Sequence, residues 1–225
     1  MKILVVAATR FEIAGLYTHF GLPELDFVQT AEFDILVTGV GMTATAFALG
    51  RYIYNGYGLV LNLGIAGCFD RSVATGAVLN ITEDELAELG AEDHERFIGI
   101  ESLGFGKSKF RNGPFREELT EKDLSGESFA RNSTALNALA SVKGITVNTV
   151  HGNAGSIAAI VERLRPVTES MEGAAVFYAC AQANVPGLQV RAVSNYVEPR
   201  NRDNWKTSLA IESLHNWAVR FLTNT

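Results

Sequence analysis

The chain has 225 residues, 47% of them hydrophobic, and a formal net charge of -6 at pH 7. This length and composition favour a single domain over residues 1–225 with one sizeable core, and the acidic balance excludes the basic surface that nucleic-acid binding requires, so we expect a small-molecule partner. The two cysteines, Cys68 and Cys180, have no paired spacing, which argues against a disulfide framework and against a cysteine metal site.

The N-terminal residues predict a buried strand. Residues 3–8 form an apolar, partly β-branched run, which is typical of a strand covered on both faces. Arg10 and Glu12 follow too soon for a secretory signal, and no apolar run approaches the roughly 20 residues that cross a bilayer. We therefore expect a cytoplasmic protein without a membrane segment.

Residues 9–12 match the capping-box pattern, with Thr9 as the N-cap and Glu12 at the third helical position. The pattern predicts a helix through about Tyr17. From the residues alone, capping explains Glu12 better than catalysis does, because a cap needs only an acid or an amide at this position.

Residues 34–38 predict a second strand, and Gly39-Val40-Gly41 leads into a helix over about 43–54. The spacing of Gly39, Gly41 and Ala44 imitates a dinucleotide-binding fingerprint. That fingerprint also requires an acid about 20 residues further on, and none is present there, so we expect no dinucleotide cofactor. The glycines instead allow the backbone to approach a sugar or an attacking water.

Residues 59–63 predict another buried strand, and residues 64–67 predict a tight turn in which Gly67 leaves room above the sheet. Residues 77–82 predict the next strand, and the acidic segment 83–95 follows.

A loop over residues 104–116 carries Lys107, Lys109 and Arg111 among phenylalanines. A solvated loop is the ordinary interpretation of such a charged run between elements. The alternative is that basic groups beside aromatic rings clamp an aromatic carboxylate.

Residues 132–142 predict a short helix, and residues 145–150 predict a strand that ends at His151. No second histidine or acid stands at ligand spacing from His151, so we expect no metal site.

Glu172 begins a buried helix at the segment Ser170-Met171-Glu172-Gly173. The apolar positions of that helix are Ala174, Ala175, Phe177, Tyr178 and Ala181. Pro186-Gly187 stops it, and residues 188–193 predict a buried strand that delivers Ser194 and Asn195 to a strand end, where α/β sheets bind ligands. Two polar groups, Glu172 and Asn195, are therefore predicted to converge from separate elements.

A final helix is predicted from about Trp205 to Leu222. Its predicted inward stripe is Leu209, Leu214, Trp217, Ala218 and Phe221. Strands and helices alternate along the chain, so the predicted fold class is α/β, a three-layer α/β/α sandwich with a central mixed, largely parallel sheet.

Five motifs lie in the order found in the purine nucleosidase and nucleoside phosphorylase family, which the chain resembles over nearly its whole length. They occupy residues 1–12, 38–41, 62–67 and 151–154, and a bipartite motif at 171–174 and 190–195. The family's bipartite pattern is M-E-x-A followed by V-R-x-x-S-D, and the chain departs from it at Asn195. With residues 196–205, this departure makes the chain most similar to the futalosine hydrolase branch.

The resemblance implies roles for residues at the motif positions. Glu12 would orient or deprotonate the attacking water, which reverses the structural interpretation. Glu172 would accept hydrogen bonds from the ribose 2'- and 3'-hydroxyls, and Met171 would pack on the sugar. The other implied contacts are to the sugar or water from Gly39, Gly41 and Gly67, and to the base from Asn195, Asn153 and Ala154.

Asn195 bears on the identity of the base. An amide cannot donate a proton to N7 as an acid does, but it can donate hydrogen bonds to N7 and to a 6-oxo oxygen, which favours hypoxanthine or guanine over adenine. The alternative is that Asn195 caps a loop. Where adenine-specific relatives have Phe-Ile after G-D-A, this chain has Gly155-Ser156, so an aromatic wall is missing or comes from elsewhere.

The resemblance implies hydrolysis of futalosine to hypoxanthine and dehypoxanthine futalosine in menaquinone biosynthesis, without a cofactor. The possible contacts to the 5'-side carboxylate are Arg200, Arg202, Lys107, Lys109 and Arg111, with Tyr196 or Phe110 stacked on the ring. Family members form dimers or higher homo-oligomers in which a neighbouring subunit can close this pocket.

Three alternatives stay open. A phosphorylase needs basic residues near the turn after the first strand, where residues 8–12 suit water better. A methylthioadenosine/adenosylhomocysteine nucleosidase is disfavoured by Asn195. A nucleoside-binding protein without catalysis is disfavoured because both glutamates are present.

Overall fold

The computed structural model describes residues 2–53, 56–112 and 134–223, and it has an α/β fold, as predicted. The strands are β1 (Ile3–Ala7), β2 (Phe27–Gln29), β3 (Phe33–Val37), β4 (Leu59–Cys68), β5 (Val78–Leu86), β6 (Gly90–Asp93), β7 (Arg96–Gly99), β8 (Lys109–Arg111), β9 (Ala140–Thr146), β10 (Thr168–Ser170) and β11 (Gly187–Tyr196). The α-helices are α1 (Ala14–Phe20), α2 (Met42–Tyr52), α3 (Ala154–Leu164), α4 (Gly173–Ala183) and α5 (Thr207–Thr223), and short 3-10 helices span Arg10–Ile13 and Arg202–Asn204. Among these described helices, none combines the length and the apolarity needed to cross a bilayer.

β1 is a central strand covered on both faces, which confirms the prediction from its continuous apolar run. Its odd-numbered residues Ile3, Val5 and Ala7 belong to an apolar cluster with side chains of α1 and α5. The alternate residues, Leu4 and Val6, belong to a second cluster with side chains of α2 and α4. Side chains alternate across a strand, so both faces of β1 are buried by helices.

The main sheet is mixed, in the order β10-β9-β5-β11-β4-β1-β3-β2, with β8 added to β5. β10 pairs with β9 on one side and also with the end of β4 on the other, so strands β10, β9, β5, β11 and β4 form a closed ring. The alternation pattern did not predict this closure, because it depends on the ten-residue length of β4. β4 pairs with β1 through residues 59–62 and reaches β10 only at Gly67 and Cys68.

Three sequence-based expectations about element boundaries were wrong. Residues 64–67 are not a tight turn but the second half of β4, where β11 pairs with them in parallel. The predicted helix over 132–142 is helical in its described part only at 134–137, because β9 begins at Ala140 and pairs with β5. The predicted strand over 145–150 ends at Thr146.

Most predicted apolar positions on α4 and α5 are buried, with two corrections. Tyr178 is 43% exposed, and its ring meets Phe110 edge-on with 5.6 Å between centroids. Leu209 is 46% exposed and lies over Gly76 rather than in the core. Each residue lies at the edge of its helix, against a neighbouring strand or loop rather than the core. Helical periodicity alone does not distinguish such edge positions from core positions.

Candidate active site

Glu12 is buried directly after β1. The predicted capping box is present: the Thr9 backbone N–H and hydroxyl both donate to Glu12 Oε2 at 3.0 Å, and the Glu12 backbone N–H donates to Thr9 Oγ1 at 3.4 Å. The second carboxylate oxygen, Oε1, accepts from the backbone N–H of Ile65 on β4 at 3.2 Å. Burial raises the pKa of Glu12, and the charge of Glu172 raises it further, against the opposing effect of Arg191. Glu12 is thus both a cap and a buried titratable group.

Glu172 is the N-cap residue of α4 and is 5% exposed. Its Oε1 accepts from the backbone N–H of Gly41 at 3.0 Å. Gly41 has a φ of 95°, in the region that favours glycine, so its lack of a side chain permits the turn that aims this N–H at Glu172. The loop between β3 and α2 therefore meets the start of α4 at Glu172, a contact that the sequence analysis did not predict.

Arg191 links the two glutamates. Its Nη1 lies 3.5 Å from Glu172 Oε2, and its charge acts on Glu12 as well. The side chain is 1% exposed and is held by Asn62 Oδ1 at 2.8 Å, Gln189 Oε1 at 3.0 Å and the carbonyl of Ile65 at 3.4 Å. The motif contained Arg191, but sequence reasoning assigned it no role.

Asp84 lies buried behind Arg191. Gln189 Nε2 donates to its Oδ2 at 2.9 Å, and Thr146 Oγ1 donates to its Oδ1 at 2.8 Å. Thr146 also accepts from the backbone N–H of Ala174 in the first turn of α4 at 2.7 Å. Burial raises the pKa of Asp84 to about 6, although these hydrogen bonds and Arg191 oppose the shift. The network connects α4 to three strands.

Asn195 lies at the end of β11, as predicted. The pairing of β11 with β4 shifts register between Val193 and Asn195, and after this irregularity Asn195 faces Gly67. A bulge next to a site re-aims the side chain that follows it. Asn195 Oδ1 accepts from Ser194 Oγ at 2.7 Å, and its Nδ2 donates to the Tyr196 carbonyl at 2.9 Å, which leaves one amide hydrogen for a ligand.

Asn195 lines a cavity together with Gly67, His151, Glu169 and Arg200. The remaining lining residues are Val150, Tyr196, Glu198 and Trp205. Of the residues expected from the sequence, this cavity therefore collects Asn195, Gly67, Tyr196 and Arg200. Glu12, Glu172 and Met171 are not in its lining; β4 connects the two groups, since Ile65 binds Glu12 and Gly67 faces Asn195 two residues later.

His151 and Glu169 form a close pair that sequence reasoning missed. His151 Nδ1 lies 2.6 Å from Glu169 Oε2, and the backbone N–H of His151 donates to Glu169 Oε1 at 2.9 Å. Burial raises the pKa of Glu169, against the hydrogen bonds from His151. The residues are 18 positions apart, so no spacing rule joins them. Within the described ranges, no group of three or more His, Cys, Asp or Glu side chains is arranged for a metal.

The five basic residues suggested for a carboxylate contact lie in different environments. Arg200 lines the cavity and its guanidinium carbon lies 5.4 Å from the Trp205 ring centroid, with that of Arg202 at 5.7 Å from the same centroid.

The remaining three basic residues lie elsewhere. Lys109 and Arg111 lie on β8, where Lys109 pairs with Glu85 of β5 at 3.6 Å and Arg111 pairs with Glu83 of β5 at 2.9 Å. Lys107 is exposed. Of the 104–116 loop, residues 113–116 lie outside the described ranges.

The other residues suggested for the base and for the sugar lie in two groups, the first at the start of α3 and the second around Glu172. Asn153 is the N-cap of α3, where its Oδ1 accepts from the backbone N–H groups of Gly155 and Ser156 at 2.9 and 3.3 Å. Ala154 is the exposed first residue of that helix. Met171 is half-buried beside Glu172, and Gly39 has a φ of 86° in the same loop as Gly41.

Comparisons with known proteins agree with the family motifs found in the sequence. The chain matches the family model of the phosphorylase superfamily over residues 32–223. It is 33% identical to the futalosine hydrolase of Streptomyces coelicolor over 231 residues, covering 95% of this chain and 92% of that protein. It is 29% identical to the futalosine hydrolase of Thermus thermophilus over 221 residues, covering 97% and 94% of the two chains.

Solved structures share the fold. The futalosine hydrolase of Helicobacter pylori superposes with a TM-score of 0.77 at 15% identity, covering 100% of this chain and 98% of that one. The methylthioadenosine/adenosylhomocysteine nucleosidase of Colwellia psychrerythraea in complex with adenine gives 0.78 at 19% identity, with 100% and 95% coverage. Because the family model spans most of the chain and the Streptomyces relative aligns along nearly all of it, the chain belongs to the phosphorylase superfamily, in the branch of the futalosine hydrolases.

Proposed function

We propose that this chain is a nucleosidase that hydrolyses futalosine to hypoxanthine and dehypoxanthine futalosine in menaquinone biosynthesis. The observation that carries the proposal is the pair of buried glutamates, Glu12 and Glu172, beside the buried guanidinium of Arg191. Similarity to futalosine hydrolases along nearly the whole chain supports the same substrate.

The two glutamates have different environments that suit different roles. Cleavage of the bond between ribose C1' and purine N9 develops positive charge on the sugar and requires a water on the opposite face. We assign the orientation and deprotonation of this water to Glu12, since a raised pKa brings a carboxylate closer to the strength that a general base needs near neutrality. Glu172 has an oxygen held by Gly41, and we assign to it the ribose hydroxyls and the stabilisation of the developing cation.

We assign the leaving base to the cavity that Asn195 lines. The free amide hydrogen of Asn195 matches an acceptor such as N7 or the 6-oxo oxygen of hypoxanthine. Trp205 and Tyr196 supply aromatic surface in the same cavity, which supports an aromatic wall from outside the 155–156 position.

We assign the 5'-side carboxylate to Arg200, because Lys109 and Arg111 already pair with glutamates. Phe110 packs against Tyr178 instead.

The position of one basic residue, Arg10, argues against phosphorolysis. The basic side chain in the turn after β1 is Arg10, and its Nε donates to Asp26 Oδ1 at 2.7 Å on the surface. A phosphorylase would direct such a cation at phosphate. We therefore expect water to be the nucleophile.

The test is to incubate the purified protein with futalosine, inosine and methylthioadenosine, with and without phosphate, and to measure free base. We expect hypoxanthine from futalosine at the same rate in both buffers. Release that strictly requires phosphate would replace hydrolysis by phosphorolysis. Adenine as the preferred product would assign the chain to the methylthioadenosine nucleosidases, and no free base from any substrate would favour a binding protein.

We also propose that residues 1–225 form one domain with helical layers on both sides of β1, and that this domain assembles as a homo-oligomer. Exposed apolar side chains support an assembly: Phe11, which precedes Glu12, is 63% exposed, Val40, which precedes Gly41, is 57% exposed, and Phe47 on the following helix α2 is 68% exposed. A second copy covering them would close the sugar side of the site. Light scattering of the protein and of Phe47→Glu tests this, with a lower mass expected for the variant.

A further inference from the structure

The His151–Glu169 pair has no role in the chemistry assigned so far, although it lies in the cavity of the leaving base. Glu169 is 4% exposed, and both of its oxygens are engaged by His151, one by the ring and one by the backbone N–H. A buried acid whose two oxygens both hold a single histidine fixes the orientation of that histidine, as in catalytic and metal-binding histidine sites.

The proposed reaction leaves a proton unassigned. When the C1'–N9 bond breaks, both electrons go to the base, and a purine anion is a poor leaving group unless it is protonated. The Asn195 amide can donate hydrogen bonds but cannot give up a proton. Glu12 and Glu172 are absent from the lining of the base cavity and bind the backbone of β4 and of the 39–41 loop instead. The base side therefore has no assigned proton donor, and the titratable groups that line its cavity are the candidates.

We propose that His151 is the general acid that protonates the departing purine and that Glu169 is its positioning residue. This inference rests on the proposed nucleosidase function and assigns it a further catalytic residue. With Nδ1 directed at Glu169 Oε2, the other ring nitrogen, Nε2, is the atom that carries the transferred proton. Among the residues that the structure describes, none hydrogen-bonds to Nε2, so this atom is available to a ligand.

The sheet brings Glu169, which holds the His151 ring, close to Asn195. Gly67 on β4 pairs with Asn195 of β11 on one side and with Glu169 of β10 on the other. A side chain added at Gly67 would place its Cβ 3.5 Å from Asn195 Nδ2 and 3.6 Å from Glu169 Cγ. The two side chains thus approach the same point from neighbouring strands, and the closed ring of strands is what makes both of them neighbours of Gly67.

The charges around His151 come from several elements. Glu169 faces it directly, and Arg200 and Glu198 from the segment after β11 line the same cavity. Glu88, in the turn after β5, acts on Glu169 through its charge. The ring of Phe69 lies edge-on to the imidazole at 6.4 Å between centroids. The charges of these carboxylates and of Arg200 therefore contribute to any pH dependence of the step assigned to His151.

The proton balance closes with the groups already named. The water oxygen bonds to C1', and one water proton passes to Glu12 as the C1'–N9 bond breaks. The proton of His151 Nε2 passes to the purine, so hypoxanthine leaves neutral and the imidazole becomes neutral. Exchange with solvent then returns a proton to His151 and removes one from Glu12, and the net reaction consumes one water.

The test compares the native protein with His151→Gln and Glu169→Gln on two substrates. The first is futalosine, whose purine must be protonated, and the second is 4-nitrophenyl riboside, whose nitrophenolate leaves without a proton. General acids contribute roughly 10²- to 10⁴-fold, so we expect His151→Gln to lower kcat on futalosine by about that factor, with a small change in KM. The loss on the nitrophenyl riboside should stay within a few fold, and Glu169→Gln should give a smaller loss on futalosine alone.

The matched control is His94→Gln, since the His94 side chain is 97% exposed and lies outside the cavity. The pH profile of kcat on futalosine is a second measurement: its basic limb should disappear in His151→Gln and persist in His94→Gln. His151→Asn repeats the test if the glutamine variant folds poorly. A basic limb that persists in the folded variants, or equal losses on both substrates, overturns the proposal. A native protein that releases no hypoxanthine from futalosine refutes the nucleosidase function itself, which is a different outcome.

Discussion

At the scale of single residues, Glu12 takes part in a capping box and, in the reaction proposed above, also acts as the base. Its Oε2 closes the capping box with Thr9, while its Oε1 accepts from the backbone N–H of Ile65 on β4. The capping pattern alone favoured structure over catalysis. Burial and the charge of Glu172, which the pattern does not contain, raise the pKa of the same carboxylate against the opposing charge of Arg191.

Glu12→Gln tests the proposed base. The amide keeps the size of the side chain but cannot accept a proton from water, so we expect kcat to fall by roughly 10²- to 10⁴-fold with KM nearly unchanged. Steady-state kinetics with futalosine measure both constants. Glu24→Gln, the same change at an exposed position, serves as the control and should be fully active.

The pH profile gives the same assignment a second check. A base works only when deprotonated, and the pKa of Glu12 is raised above its ordinary value of 4.5. Activity should therefore decline as the pH falls through a value above 4.5, and this acidic limb should be absent from the residual activity of Glu12→Gln. An identical limb in both proteins would contradict the role of Glu12.

Asn195→Asp tests the choice of base. A carboxylate would face N7 and the 6-oxo oxygen with another acceptor, so kcat/KM for futalosine should fall by roughly tenfold or more, since an unpaired buried polar group costs about 1–3 kcal/mol. For an adenine nucleoside the change should be smaller or favourable. The ratio of the two kcat/KM values is the measurement, and an unchanged ratio would remove Asn195 from base selection.

At the scale of elements, β4 organises both parts of the site. Gly64 lies against the Arg191 guanidinium: an added Cβ would overlap Arg191 Nη1 and would lie 2.9 Å from Glu12 Oε1. The backbone N–H of Ile65 binds Glu12, and Gly67 faces Asn195. The glycines of this segment therefore serve close packing within a strand, whereas the sequence interpretation placed them in a turn.

Gly64→Ala should disturb this packing. Arg191 is held by Asn62, Gln189 and Glu172, so the added methyl group must displace a restrained guanidinium. We expect a loss of about 1–3 kcal/mol in the free energy of unfolding together with reduced kcat. Gly50→Ala, inside α2, is the control and should be neutral or stabilising, because, apart from its own stretch of helix, no atom of the described residues lies within 4 Å of an added Cβ there. Equal effects of the two substitutions in chemical denaturation would contradict this account.

At the scale of the whole molecule, a buried polar network joins the ring of strands to α4. Asp84 of β5 accepts from Gln189 of β11 and from Thr146 of β9, and Thr146 binds the first turn of α4. Gln189 also accepts from Arg191, so the network extends from the interior to the guanidinium beside Glu172. Such networks specify one arrangement of elements only when every member is paired.

Asp84→Asn tests the ionisation of this network. The folded pKa of about 6 lies above the ordinary 3.8, so the contribution of Asp84 to stability is fully present below 3.8 and is lost as the pH rises through about 6. An asparagine does not titrate. The stability of the variant relative to the native protein should therefore increase by up to about 3 kcal/mol between about pH 4 and about pH 7. Denaturation at several pH values measures this difference, and a constant difference would contradict the raised pKa.

Sequence patterns correctly predicted the elements whose formation depends on interactions within a few neighbouring residues. The apolar run at residues 3–8, the capping box at Thr9 and the buried helix after Glu172 all appear in the structure, because propensity, capping and periodicity act within a few residues. The same reasoning failed at residues 64–67, where glycines that resemble a turn lie in a strand. Pairing with β11 decides that stretch, and pairing partners are distant in sequence.

Sequence patterns alone predict the α/β class, the family, and Glu12, Glu172 and Asn195 as polar groups at the ends of buried elements. The closure of the sheet by β10, the burial of Asp84 within an acidic segment, and the pairing of His151 with Glu169 emerge only in the folded chain. The physical reason is that burial and ion pairing depend on which strands become neighbours. The neighbours of each strand are set by packing between residues that are distant in the sequence, and a short window of sequence does not contain both partners.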